Sequence, residues 1–298
     1  MAPFPFLLVD AFTDRPLAGN ACAVVLDAGG LPPATMQAIA REMNQSETAF
    51  VRGGTGNRFE VRYFTPGAEI PLAGHPTIAT VGALIDAGRL PLAAGRTELV
   101  FDLRDGPISI AVERREGARP WVVMTQRRPL FRPPLEAAVV ASAFGLPLEA
   151  LRDDAPVQVV STGTEQLMVP LRSKEWLRQA LVDVPRYRAL QQAAAFFSAH
   201  LFVLGGATPE GQTFARHVAI SPDLFEDAVT GSATGGMGAY LFHHGLLTER
   251  DFVAEQGHWM GRPGRVAVHV EGTPQEIQWV SVAGTAVVVA RGMLEIPR

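Results

Sequence analysis

Residues 72–88 read LAGHPTIATVGALIDAG, and residues 229–245 read VTGSATGGMGAYLFHHG. Placing Gly74 over Gly231 sets His75 on Ser232, Thr77 on Thr234, Leu84 on Leu241, Gly88 on Gly245 and Leu90 on Leu247 without a gap. A proline turn precedes each stretch, FTPG at 64–67 and ISPD at 220–223. Both stretches are apolar nearly all round, through Ile78, Val81, Leu84 and Ile85 in one and Met237, Tyr240, Leu241 and Phe242 in the other. A helix of that kind is buried, not amphipathic. The surrounding segments are mostly strand-like, and in a strand-rich chain the simplest home for a wholly apolar helix is the middle of a curled sheet. The repeat therefore predicts an α+β fold of two pseudo-symmetric domains, each a mostly antiparallel sheet or barrel wrapped around a central helix. Chance likeness between two Gly/Ala-rich helices is the alternative.

Working outward, the expected N-terminal domain covers 1–117: strands FPFLLVDAF and ACAVVLD, a helix TMQAIAREMNQ preceded by Pro32 and Pro33, strands TAFVR and RFEVRYFT, the buried helix, and a hairpin of TELVFDLRDG with PISIAVERREG. The second domain, 118–284, repeats that order through VQVVSTGTEQLMVPL, a helix RYRALQQAAAFFSAH, and strands AHLFVLGG and TFARHVAI. The C-terminal strand 285–298 is placed to pack back on the first domain.

Composition narrows the partners. With 26 basic and 30 acidic residues and a net charge of −4, the chain shows no footprint for nucleic acid or a membrane surface. A small molecule is the expected partner. The single cysteine, Cys22, cannot form an intramolecular disulfide, MAPFPFLLVD lacks the pattern of a secretory leader, and no apolar run approaches the roughly 18 residues of a membrane helix. A cytoplasmic location is expected. The seven histidines lack zinc-ligand spacing, and neither GSATGGMG nor GGTGNR has the context of a phosphate or dinucleotide loop, so neither a metal nor a nucleotide cofactor is expected.

The starts of the two buried helices are the candidate ligand site. Backbone N–H groups at a helix N-terminus lack intrahelical partners and carry a partial positive charge, which suits a carboxylate or an oxyanion. Gly74 and Gly231 let a ligand approach the backbone; His75 and Ser232 add side-chain groups, and Thr230 precedes the second start. Two such starts, facing one cleft between the domains, would grip a small anion from both sides. Capping is the plainer role for His75, although caps favour Ser, Thr, Asp and Asn. For acid/base work the best-placed carboxylates are Glu47, at the head of an apolar strand, and Asp227, four residues before Gly231. An edge-strand charge and a turn cap are their respective alternatives.

Five ordered motifs, VDAFTDRPLAGNACAVV, QSETAFV, YFTPGAEIPLAGHPT, FEDAVTGSA and EQGHWMGRPG, resemble the phenazine-biosynthesis PhzF-like family over essentially the whole chain. The resemblance implies a diaminopimelate-epimerase-like fold with the active site between the domains, and a homodimer. It further implies cofactor-independent isomerisation of a small carboxylic acid, as with trans-2,3-dihydro-3-hydroxyanthranilate, where a proton leaves C3 and returns at C1. Carried over by motif, Glu47 shuttles the proton, His75 and Asp227 assist, Gly74, Gly231 and Ser232 bind the carboxylate, and Asn20 and Ser46 line the cleft. Related epimerases use a cysteine at each helix start, and none stands here, which excludes two-thiol epimerisation. The other readings are a one-base epimerase and a ligand-binding protein without turnover.

Overall fold

The computed structural model describes residues 2–114, 116–220 and 224–296. The chain forms two α+β units, Met1–Thr125 with Ala283–Arg298, and Gln126–Val282.

In the first unit the long C-terminal strand Ala286–Ile296 pairs antiparallel with Ala2–Ala11, which pairs antiparallel with Asn20–Val25. Asn20–Val25 runs parallel to Glu47–Thr55, which turns back antiparallel to Arg58–Phe64. Arg58–Phe64 pairs antiparallel with the short Glu69–Ile70 and parallel with Arg96–Leu103, which forms a hairpin with Gly106–Glu113. Alternation decides the buried face, so Phe59, Val61 and Tyr63 point inward while Arg58 and Glu60 point out. Trp121–Gln126 pairs with Gly106–Glu113, which carries the unit to Thr125, where the sequence suggested a close near 117.

The second unit repeats this pairing scheme. Gln158–Ser161 pairs antiparallel with Glu165–Pro170, which runs parallel to Ser198–Leu204. Ser198–Leu204 is antiparallel to Thr213–Ile220, which pairs antiparallel with the short Leu224–Asp227 and parallel with Asp251–Gln256; the latter is antiparallel to Gly264–Gly272. Each unit thus has the same succession of antiparallel and parallel neighbours around one helix.

Those helices are Gly74–Asp86 and Gly231–His243. Almost every residue is buried, from Gly74 to Val81 with Ala83 and Leu84 in one, and from Ala233 to Phe242 in the other. Burying each Ile, Val or Leu contributes roughly 1.5–3 kcal/mol, enough to hold a helix with little intrinsic amphipathicity. Each ends at a left-handed glycine, Gly88 or Gly245. The sheet's other face is covered by Pro33–Met43 in the first unit and by Ala137–Ala143, Lys174–Gln179 and Val184–Ala194 in the second.

Local corrections are small. The first helix begins at Pro33 itself, because proline suits the first helical position. The helix expected through FFSAH stops at Ala194, where Ala195 turns left-handed and Ser198 enters a strand beside Gln166. The FTPG turn is closed by Thr65, whose Oγ1 accepts from the N–H groups of Gly67 and Ala68. Its counterpart at 221–223 lies outside the described residues.

Candidate active site

The first unit assembles its site from a strained loop. Phe12, Leu17 and Gly19 all take positive φ within eight residues. The buried Asp10 holds this turn by accepting from Leu17 N at 2.7 Å. At Gly19 a Cβ would stand 2.1 Å from Ala11 O, so only glycine fits. The loop delivers Asn20 to the head of its strand. Asn20 Oδ1 accepts from Ser46 Oγ at 3.4 Å, and Asn20 Nδ2 donates to His75 Nδ1 at 3.0 Å. His75 Nε2 in turn lies 3.2 Å from Glu47 Oε2, at ion-pair distance without the alignment of a hydrogen bond. Because Nδ1 accepts, the ring proton sits on Nε2 and faces the carboxylate.

His75 is buried, and Glu47 keeps 15% of its side chain exposed while its Oε2, beside the imidazole, is buried. Glu47 opens its strand in register with Cys22. Burial, and then the Glu47 charge, push the Cys22 thiol well above its usual range, so Cys22 is a protonated wall and not a nucleophile. Deeper in, the Tyr63 hydroxyl and Thr77 Oγ1 are hydrogen-bonded at 2.9 Å, and Thr77 Oγ1 donates to Ala73 O, securing the helix's first turn.

In the second unit Asp227 ends its short strand, nearly buried. Thr230 Oγ1 donates to Asp227 Oδ2 at 2.6 Å, so the carboxylate does hold the turn into the helix. Gln256 completes it, accepting from Thr230 N at 3.1 Å and donating from Nε2 to Asp227 O at 2.7 Å. Gln166 Nε2 donates to Ser232 Oγ at 3.1 Å, and Gln126 Nε2 to Gly231 O at 3.0 Å. Each glutamine is buried, and a buried amide needs partners; the sequence does not mark them, since Gln166 and Gln256 directly follow the acidic Glu165 and Glu255. His200 and His217 form a further buried pair, Nδ1 to Nδ1 at 3.2 Å, with His217 in register with Asp227.

The structure therefore groups Asn20, Ser46, Glu47 and His75 around the helix start at Gly74, and Asp227, Thr230 and Ser232 around the start at Gly231. Among the described residues no three His, Cys, Asp or Glu side chains are grouped to hold a metal, and no helix is long and apolar enough to cross a membrane.

Comparison with known proteins agrees with this frame. A family model described as phenazine biosynthesis-like protein matches residues 9–292. The chain belongs to that family. It is 32% identical to the uncharacterized isomerase YfhB of Bacillus subtilis, over 97% of this chain and 98% of the relative. It is 33% identical to the trans-2,3-dihydro-3-hydroxyanthranilate isomerase of Pseudomonas fluorescens, again over 97% and 98% of the two chains. The crystal structure of a PhzF-family phenazine biosynthesis protein from Bacillus anthracis superposes with a TM-score of 0.88 at 30% identity, covering 99% of this chain and all of that one. The fold is thus the diaminopimelate-epimerase-like architecture of PhzF proteins, and the family's reaction class is isomerisation.

Proposed function

We propose that this protein is a cofactor-independent isomerase that moves a proton between carbons of a small carboxylic acid, with Glu47 as the acid/base. The observation that carries the reading is the ordered chain Ser46, Asn20, His75, Glu47, which sets a carboxylate against the N–H of a neutral imidazole at a helix start. Glu47 accepts the proton from carbon and returns it at a second carbon. The His75 Nε2–H orients the carboxylate and steadies it in both protonation states. Gly74, Gly231 and Ser232 supply donors for the substrate carboxylate and the charge that develops on it, Thr230 holds the turn before the second start through Asp227 and Gln256, and Asp227 takes the substrate's amine.

The named Pseudomonas relative supports trans-2,3-dihydro-3-hydroxyanthranilate as the substrate to try first. On that substrate the proton would leave C3 and return at C1, and the enol would relax to a ketone. The reading includes a cytoplasmic homodimer. Its test is incubation of the protein and of Glu47→Gln in D2O with this substrate, with product and deuterium at C1 followed by NMR. Wild-type conversion is expected, and in the variant a rate lower by about a thousandfold with an unchanged circular dichroism spectrum, as loss of a general acid/base implies. A Gln variant that turns over at the wild-type rate would sink the assignment.

A further inference from the structure

The two units distribute side-chain length differently over the same frame. In the first, Glu47 opens its strand in register with Cys22; the long Glu47 reaches the helix-start residue His75, and the short Cys22 stays buried. In the second, Ser198 opens the corresponding strand in register with Gln166. Here the lengths are exchanged. Ser198 is fully buried and among the described residues its Oγ has no hydrogen-bond partner, while Gln166, 2% exposed, reaches the helix-start residue Ser232 at 3.1 Å.

We propose that Gln166 is a positioning residue that fixes Ser232 as a hydrogen-bond donor to a ligand carboxylate. The inference rests on the reading of Ser232 as a carboxylate-binding residue. A serine hydroxyl has one proton and two acceptor lone pairs. The Gln166 N–H fills one lone pair, so the hydroxyl proton cannot point toward Gln166. Nor is it used within the helix: Thr234 donates its hydroxyl to Thr230 O at 2.9 Å, but among the described residues no acceptor takes the Ser232 proton. Ser232 is half-buried, so the proton is directed to the accessible side, beside the backbone N–H groups of the helix start. A cradle made only of donors prefers an anion, and the amide at 166 keeps it so.

Two near-isosteric changes separate this role from space filling. Gln166→Met keeps length and removes the N–H; Gln166→Glu reverses the polarity, so that Ser232 donates inward. These variants, Ser232→Ala and the double variant Gln166→Met/Ser232→Ala are compared for KM and kcat with trans-2,3-dihydro-3-hydroxyanthranilate. Binding of 3-hydroxyanthranilate and of its carboxamide, 2-amino-3-hydroxybenzamide, is measured by calorimetry. Ser232→Ala and Gln166→Met are each expected to weaken carboxylate binding about tenfold, the order of a hydrogen bond to a charged group, and the double variant no more than Ser232→Ala alone. Gln166→Glu should weaken it further, and the neutral carboxamide should lose less affinity than the carboxylate in every variant. Wild-type affinity in Gln166→Met and Gln166→Glu alongside weak binding in Ser232→Ala overturns the proposal by itself. Wild-type affinity in Ser232→Ala, or no binding of 3-hydroxyanthranilate by the wild type, overturns the underlying reading and the proposal with it.

Discussion

Acidification should loosen the second unit through His200 and His217. Both imidazoles are buried, on adjacent strands in direct register, and burial lowers His200 from its ordinary 6.5 to about 3. His217 is lowered in the same direction, by burial and then by His200. The unfolded chain takes a proton on each near 6.5, whereas the folded chain refuses one on His200 until about 3, so this stability is complete above that upper value and drains away as pH falls through the window. At pH 5 the loss from His200 alone is about 2 kcal/mol, reaching about 5 kcal/mol across the window at 1.36 kcal/mol per pH unit. The corresponding positions of the first unit hold Ala49 and Tyr63, with the Tyr63 hydroxyl bonded to Thr77. Thr234 stands where Thr77 does, so the double variant His200→Ala/His217→Tyr should graft that arrangement and abolish the titration. Urea unfolding of both proteins at pH 7.5 and pH 5 reads the difference. The arginines beside Asp27 and Glu69, and His269 beside Glu271, hold these carboxyls below the usual carboxylate range in both proteins alike, so their contribution cancels in the comparison. The wild type should lose at least about 2 kcal/mol more than the variant on acidification, since the variant removes the titration of both imidazoles, and equal losses would contradict the assignment.

Other perturbations test the candidate site and its supports. Asn20→Asp replaces a donor to His75 Nδ1 by an acceptor, and kcat should fall about tenfold, the worth of roughly one hydrogen bond; a wild-type kcat would refute the tautomer assigned to His75. Gly19→Ala, forced against Ala11 O at positive φ, should cost about 2 kcal/mol or more in urea unfolding and lower activity by shifting Asn20. Gly235→Ala would bring a Cβ to 2.1 Å from Gln126 Oε1, and displacing that amide from Gly231 O should cost about 1–3 kcal/mol by the same assay.

The fold was legible because its two deciding segments are extreme. Helices with no polar stripe have to be enclosed, and a gap-free repeat of thirteen-residue helices demanded a repeated frame. Of the group that the structure gathers around Gly74, Glu47 and His75 stand out by position, at the head of an apolar strand and at the start of the decisive helix, whereas Asn20 and Ser46 are marked only by the family motifs they belong to. The glutamines do not stand out. Gln126 bonds a residue 105 positions away, Gln166 one 66 away and Gln256 one 26 away, and side-chain partners at such separations leave no local pattern. The helix that should have run through FFSAH failed for a related reason: pairing with Glu165–Pro170 outweighs the helical propensity of an alanine run.

The two amides at 20 and 166 follow one logic. His75 and Ser232 can each accept or donate, and a buried amide fixes the role of each. In the first unit the Asn20 N–H fills the acceptor at His75 Nδ1, so Nε2 carries the proton; in the second the Gln166 N–H fills a lone pair of Ser232, so the hydroxyl proton is left to give. Ser46 reinforces the first arrangement, because flipping the Asn20 amide would set its N–H group against a hydroxyl that now donates to Oδ1. Both helix starts therefore present donors from backbone and side chain together. An acidic residue at either amide position would invert that polarity while preserving shape, charging the imidazole in one unit and drawing the hydroxyl inward in the other. On the proposed reading, which atom of a buried amide faces the helix sets the polarity of each start, a choice invisible to packing.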